Sequence, residues 1–449
     1  MKSPRVALIN PGKNDLFGMQ EPLHVGFIAA YLEQHGVEVS IVDELAGADV
    51  RVEIEKIRPD LVGITATTPV APEAYEHARF CRSLGIKTVM GGVHPSVMPQ
   101  EALAYADVVV QGEGERAMLE ILRGISRGRI LRYPYQKDLD AVPRPAYHLM
   151  NMAFYLRAKD RVPYSTSLFF VKPRARVASL ITSRGCPFSC IFCHNSWKGM
   201  PFRENSAERV LEDIRYLRDT YGIDSLFFCD DNFFADRIRL KKICTSMRNQ
   251  GIKLNWGCNA RADSLTPESV RLVKEAGCRQ LTFGFESGSQ KILDVLDKHS
   301  SLEQNRRAIA LCKEAGLLSV STFMVGNPHE TVEDIELTRK FILESSLDCA
   351  GVGVTTPYPG TGLWEWCREN KYIPQDLKWS DFVADVCPIR VSEFVSPGEA
   401  KQYRSRIYFE MARQPKHFLA LSKLTLLHPS LGIRKARLAL RNLFAGRQQ

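Results

Sequence analysis

The strongest constraint on this chain is an alternation of short apolar runs with helix-length amphipathic stretches. In residues 1–125 the runs are "RVALIN", "VEVSIVD", "LVGITATT", "KTVMGG" and "DVVVQGEGE", with segments such as "VGFIAAYLEQHG" and "EAYEHARFCRSLG" between them. Strands buried on both faces read as continuous apolar runs, and a strand–helix–strand rhythm makes them parallel. Right-handed crossovers then give a doubly wound α/β sheet. Ligands of such sheets bind beyond the carboxyl ends of the strands. Those ends are rich in Gly, Ser, Thr and Pro, which suits close backbone approach. Thr65, Thr67, Gly91, Gly92 and Glu113 are the candidate contacts there.

A connector with several prolines, including "DLDAVPRPAYHLM", spans residues 126–172. The rhythm resumes at "VASLITSRG" and continues through "SLFFCDDNF", "KLNWGCNAR", "QLTFGFES", "LSVSTFMVGNP" and "AGVGVTTPYPGT". These six strands and their helices predict a partial (βα)6 TIM-type barrel over residues 173–379, working at its carboxyl-end face. Residues 380–449 form a helical C-terminal region. A chain of 449 residues exceeds one ordinary core, which agrees with two or three domains.

No apolar run is long enough to predict a membrane span, and the N-terminus lacks the pattern of a signal peptide. Twelve cysteines without an export signal predict a reducing, cytoplasmic setting. Cys81, Cys244, Cys312 and Cys349 fall on apolar faces and read as small hydrophobes. The net charge of +9 is concentrated at one end: residues 413–449 hold eight Lys or Arg and no acid. Leucines at helical spacing among these charges fit an amphipathic basic helix on an anionic membrane or an acidic partner. They equally fit a helix packed on the barrel with a solvated basic face. No nucleic-acid motif accompanies the charge, so a nucleic-acid partner is not expected.

One cluster stands apart from this pattern. "CPFSCIFC" places Cys186, Cys190 and Cys193 on the loop after the first barrel strand. A structural zinc site uses four closed ligands, commonly as two separated pairs. Three thiolates without a fourth suit a four-iron cluster with one iron left open.

This cluster, with Phe192 before its last cysteine, resembles that of the radical S-adenosylmethionine superfamily. "FFCDDNF", "FGFESGSQ" and "MVGNPHET" fit the same family, and the resemblance runs from Arg174 to about Trp379. It implies a 4Fe-4S cluster on Cys186, Cys190 and Cys193, and S-adenosylmethionine on the open iron. By the same resemblance Glu286 and Ser287 face the ribose and methionine portions, and Gly326, Asn327 and Pro328 line the adenosine pocket. Arg261 is a candidate carboxylate partner, since its planar fork suits bidentate binding.

The first domain resembles the cobalamin-binding domain of one branch of that superfamily, through "INPG", "PLHVGFIAAYLEQHG", "GITATT", "GGVHPS" and "GEGE". The Asp-x-His-x-x-Gly motif that supplies an axial histidine in cobalamin mutases is absent. The cobalt is therefore expected to lack an imidazole, with His94 the first suspect if one is found. Three readings remain open at this point: a bound corrinoid, a vestigial pocket acting as a lid, and a dinucleotide site. The last lacks a Gly-x-Gly-x-x-Gly after the first strand.

The resemblance implies methylation of an unactivated carbon in a small biosynthetic molecule, with electrons from a flavodoxin or ferredoxin. A radical dehydratase, epimerase or cyclase with an empty first domain is the alternative. An iron-sulfur or zinc sensor is the non-enzymatic one, and it would not need the further barrel-end residues. No residue is assigned as a catalytic proton or hydrogen donor.

Overall fold

The computed structural model describes residues 3–12, 20–157, 168–172, 174–194, 200–383 and 387–414. The first sheet contains β1 (Arg5–Asn10), β2 (Glu38–Asp43), β3 (Leu61–Thr65), β4 (Lys87–Gly91), β5 (Val108–Gln111) and β6 (Ile130–Arg132). Their order is β2-β1-β3-β4-β5-β6, and every pairing is parallel. The alternation of side chains separates two cores. Val6 and Leu8 of β1 join one cluster, with Val25, Ala29 and Leu32 of helix Leu23–Gln34. Ala7 and Ile9 join the opposite one, with Ala74, Ala78 and Cys81 of helix Ala71–Ser83. Helices thus cover both faces, as a parallel sheet requires. β6 lies within the stretch read as connector. Three residues flanked by Gly and Pro give too short an alternation to register as a strand.

The second sheet begins with β7 (Val177–Leu180). An antiparallel ribbon of β8 (Ser183–Arg184) and β9 (Arg203–Glu204) follows. Then come β10 (Ser225–Phe228), β11 (Asn255–Ala260), β12 (Cys278–Glu286), β13 (Leu318–Val325) and β14 (Cys349–Val354). The order β14-β13-β12-β11-β10-β7 adds each new strand at the same edge, in parallel. This is an open half barrel of six strands. The helices between them start on side-chain caps readable in the sequence. Ser301 with Gln304, and Thr331 with Asp334, form reciprocal boxes at helices Leu302–Glu314 and Val332–Glu344.

An open barrel exposes two strand edges, and both are covered here. At β7 the Ser179 N–H donates to the Glu21 carboxylate at 3.2 Å, and the Ser179 carbonyl accepts from the Tyr147 hydroxyl at 3.4 Å. At β14 the Val352 N–H donates to the Tyr408 oxygen at 2.8 Å, and the Val352 carbonyl accepts from Arg404 at 2.9 Å. Tyr408 and Arg404 belong to helix Pro397–Arg413, which ends the described chain. The basic tail from Pro415 onward lies outside the described residues. Among the described residues no helix is long and apolar enough to cross a membrane.

Glu21 is buried, and desolvation raises its pKa from 4.5 to about 6 despite the hydrogen bonds it accepts. Because the folded value is the higher one, folding favours the protonated form. That contribution is complete below pH 4.5 and is lost as pH rises through 6. We predict that wild-type protein loses about 1.3 kcal/mol relative to Glu21→Gln between pH 4.5 and 6, out of about 2 kcal/mol over the full titration. Paired denaturant titrations at both ends of the interval would measure it. An unchanged gap would show that Glu21 does not bind a proton on folding.

Candidate active site

The six carboxyl ends of the second sheet open on one side, and the cysteine loop leaves the first of them. The β8–β9 ribbon closes the base of that loop. Gly185, at φ 83°, forms its entry; a Cβ there would stand 2.5 Å from the Pro201 carbonyl oxygen. Cys186, Cys190 and Cys193 are free thiols, with Cys190 buried and the other two half-buried. The Cys193 N–H donates to the Cys190 carbonyl at 3.0 Å. Among the described residues no three Cys, His or acidic side chains converge closely enough to hold a single metal ion. A four-iron cube spreads its cysteine ligands more widely than one ion does. Three cysteine donors without a fourth are the set that a four-iron cube with one open iron would take.

Residues following β11 and β12 hold this loop from outside. Arg261, directly after β11, lays its guanidinium 3.5 Å from the ring centre of Phe188, between the first two cysteines. The same guanidinium donates to Asp263 at 2.9 and 3.1 Å and to the Lys298 carbonyl at 2.7 Å. Nε and one terminal nitrogen of its fork are thus engaged within the protein. Ser189 donates to Asp297 at 2.6 Å, and the Ile191 N–H to the Leu296 carbonyl at 3.1 Å. The Lys298 ammonium stands 5.6 Å from the Phe192 ring centre. Burial pushes the Cys186 thiol up; the Phe188 backbone opposes this, as does the Arg261 charge, while Asp231 and Cys190 add to it. Residues that follow β7, β10, β11 and β12 therefore share one neighbourhood.

Glu286 ends β12 in the left-handed region, at φ 64°, and is paired with Lys298 at 3.0 Å. Ser287 faces elsewhere. Its hydroxyl is fully buried against Thr338 at 3.1 Å, and it accepts from the Ser289 N–H. The turn after β13 is knotted around Glu330, which accepts from the backbones of Gly326 and Asn327 and from the Asn327 side chain. Burial raises the Glu330 carboxyl to about 7. Thr355, after β14, donates to the Asn327 side chain at 2.8 Å. Asn327 and the buried Pro328 are thereby fixed beside the strand end, with little side-chain freedom.

The first domain contributes a cavity of about 240 Å³ at the carboxyl edge of its sheet. Thr65, Gly91, Gly92 and Glu113 line it, whereas Thr67 stands outside as an exposed residue. Gly92 is at φ 90°, and a Cβ there would meet Thr65 Oγ1 at 2.6 Å. Leu8, Val89 and Val110 make the inner wall apolar, and Ile181 and Arg184 come from the second domain. Arg184 is bound to Glu113 at 3.0 Å and to Glu115 at 2.6 Å. Arg203 adds a second bond to Glu113 at 2.9 Å. Both acids of "GEGE" thus grip the ribbon that carries the cysteine loop. His94 is not part of this cavity; it is fully buried, with Nε2 at 3.1 Å from the Tyr75 hydroxyl and Nδ1 at 3.4 Å from Thr68 Oγ1. The sequence reading missed Arg184, Glu115 and Lys298. The paired acids of "GEGE" were the one local signal that a cation sits opposite.

Arg261→Lys keeps the charge but loses the planar stack on Phe188. With a stack of about 1 kcal/mol, reconstituted protein should release iron to a chelator roughly five-fold faster. Decay of the visible absorption under anaerobic chelation measures this. An unchanged rate would show that the stack does not hold the loop.

Comparison with known proteins agrees with this geometry. Residues 180–342 match the radical SAM superfamily, and residues 16–122 match the B12 binding domain. An uncharacterized methyltransferase of Pyrococcus horikoshii is 31% identical over 422 residues, covering 88% of each chain. The anaerobic magnesium-protoporphyrin IX monomethyl ester cyclase of Rubrivivax gelatinosus is 29% identical, covering 80% of this chain and 69% of the cyclase. The radical S-adenosylmethionine methyltransferase TsrM from Kitasatospora setae, solved with cobalamin and a 4Fe-4S cluster bound, superposes with a TM-score of 0.67. It is 20% identical, covering 83% of this chain and 76% of that one, and it shares the fold. The cysteine loop at the barrel edge, the sheet-edge cavity beside it and these matches together make the chain a member of the radical S-adenosylmethionine superfamily, in the branch that carries a B12-binding domain.

Proposed function

We propose that this protein is a cobalamin-dependent methyltransferase acting on an unactivated carbon of a small biosynthetic molecule. The observation that carries the reading is the shared wall between the two sites. Arg184 lines the first-domain cavity and lies two residues before Cys186. A corrinoid at that cavity and a cluster on that loop would face the same space. The names of the relatives agree, since the Pyrococcus horikoshii protein is called a methyltransferase.

Cys186, Cys190 and Cys193 would hold the cluster, and the apolar cavity with its glycine edge would hold part of a corrinoid. When bound, the cluster with S-adenosylmethionine supplies a 5′-deoxyadenosyl radical, and the corrinoid supplies a methyl group. The chain's own work is positioning. Arg261 and the 296–298 segment fix the cysteine loop. Glu286, held by Lys298, offers a carboxylate at the strand end for a cosubstrate hydroxyl or ammonium. Gly326, Asn327 and Pro328 give a rigid wall for the adenosine, and Ser287 ties the end of β12 to helix Val332–Glu344. Glu113 and Glu115 hold the cavity against the loop.

We assign residues 1–125 to the corrinoid domain, 126–172 to a connector that lends β6 to its sheet, 173–379 to the barrel and 380–449 to the C-terminal region. A flavodoxin or ferredoxin is the electron donor, and the setting is cytoplasmic. Peripheral membrane contact through the basic tail remains part of this proposal. The similarity to a cyclase favours a second reading, in which the same radical closes a ring rather than receiving a methyl group.

Three outcomes are expected of full-length protein made anaerobically with cobalamin supplied. It should carry one corrinoid per chain and cleave S-adenosylmethionine to 5′-deoxyadenosine under dithionite. Replacing all three loop cysteines by alanine should abolish cluster iron and cleavage while leaving the corrinoid in place. Glu286→Ala should slow cleavage at least ten-fold, a loss of about 1.4 kcal/mol. Cleavage by protein that binds no corrinoid would favour the ring-closing reading, and a full cluster in the triple variant would remove the whole assignment.

A further inference from the structure

The cavity wall contains an imidazole that the protein itself leaves unused. His24 is the second residue of helix Leu23–Gln34, which begins at the carboxyl edge of the first sheet. It lines the cavity with Thr65, Gly91, Gly92 and Arg184. Its side chain is exposed and borders this cavity. Among the described residues His24 has no hydrogen-bond or ion-pair partner. This contrasts with His94, whose ring nitrogens face Thr68 and Tyr75 and whose ring packs at 4.8 Å on Trp379.

The surroundings keep His24 in its neutral form. Desolvation lowers its pKa from 6.5 to about 4. A cation is also disfavoured in the first turn of a helix, where the backbone N–H groups already present positive charge. A neutral imidazole has a free lone pair and is the form that binds metals. The inner wall of the cavity is apolar, formed by Leu8, Val89 and Val110. A corrinoid seated at this cavity would lie beside that imidazole.

We propose that His24 donates an imidazole nitrogen to the cobalt of a corrinoid seated at this cavity. The bond is a lone-pair coordination, with no proton released and no change in oxidation state. It reverses the expectation drawn from the missing Asp-x-His-x-x-Gly motif, because the histidine comes from the helix instead of the loop before it. This inference rests on the corrinoid reading above.

The test uses full-length protein labelled with nitrogen-15 histidine and loaded anaerobically with unlabelled hydroxocobalamin. Absorbance first reports whether corrinoid is bound; its absence overturns the corrinoid reading and this inference with it. Electron paramagnetic resonance of the reduced cob(II)alamin form then reads the axial ligand. Triplet splitting in unlabelled protein should become a doublet on labelling, since only the protein's nitrogen is exchanged. His24→Ala should keep the corrinoid and lose the doublet. With corrinoid bound, three results would each overturn the His24 assignment alone: no splitting, a triplet that survives labelling, or a doublet that persists in His24→Ala.

Discussion

The rest of this structure depends on one guanidinium. Arg184 takes two carboxylates from the first domain while its backbone forms the ribbon that launches the cysteine loop of the second. Its pKa is raised by Glu115 and Glu113 against the cost of burial, so the charge is kept although most of the group is out of water. Such a cluster repays its desolvation only when geometry is tight and every partner is present. Arg203 and the backbone of Gln136 satisfy Glu113 further. The consequence is positional. Two cofactors that act in turn on one carbon must be held at a fixed spacing, and small displacements in such sites are costly. The clamp contributes to that spacing through three short ion pairs.

A second set of contacts does the same within the barrel. The segment 296–299 after helix Gln290–Val295 meets the cysteine loop through its backbone, and Arg261 ties both together. Glu286 is drawn in through Lys298. Loop, cation and carboxylate come from different strand ends, so the site exists only when the half barrel is complete. Arg261 is thus a positioning residue for the loop, which its place at a strand end did not reveal.

How much could be read beforehand follows from how local each signal is. The cysteine spacing lies within eight residues and was legible at once. The strands of both sheets were legible because a buried parallel strand is an unbroken apolar run; β6, with three residues between Gly and Pro, was not. Partnerships across the chain left no local trace. The Arg261 stack on Phe188 joins two strand-end loops far apart in sequence. Ser287 follows Glu286 in a motif, yet its hydroxyl turns outward to helix Val332–Glu344. His24 sits inside a stretch that reads only as an amphipathic helix, and its significance comes from the cavity around it.

The covering of the two barrel edges also bears on the order in which a growing chain can fold. Glu21 and Tyr147 leave the ribosome before β7 does, so that edge can be capped as soon as its strand emerges. Each later strand then docks on its predecessor and becomes the exposed edge in turn. Arg404 and Tyr408 arrive last and close the sheet only after β14 is in place. A nascent chain therefore carries a single open, advancing edge, the kind of surface that invites wrong pairing with other chains. Covering the first edge in advance leaves half as much such surface to guard during synthesis.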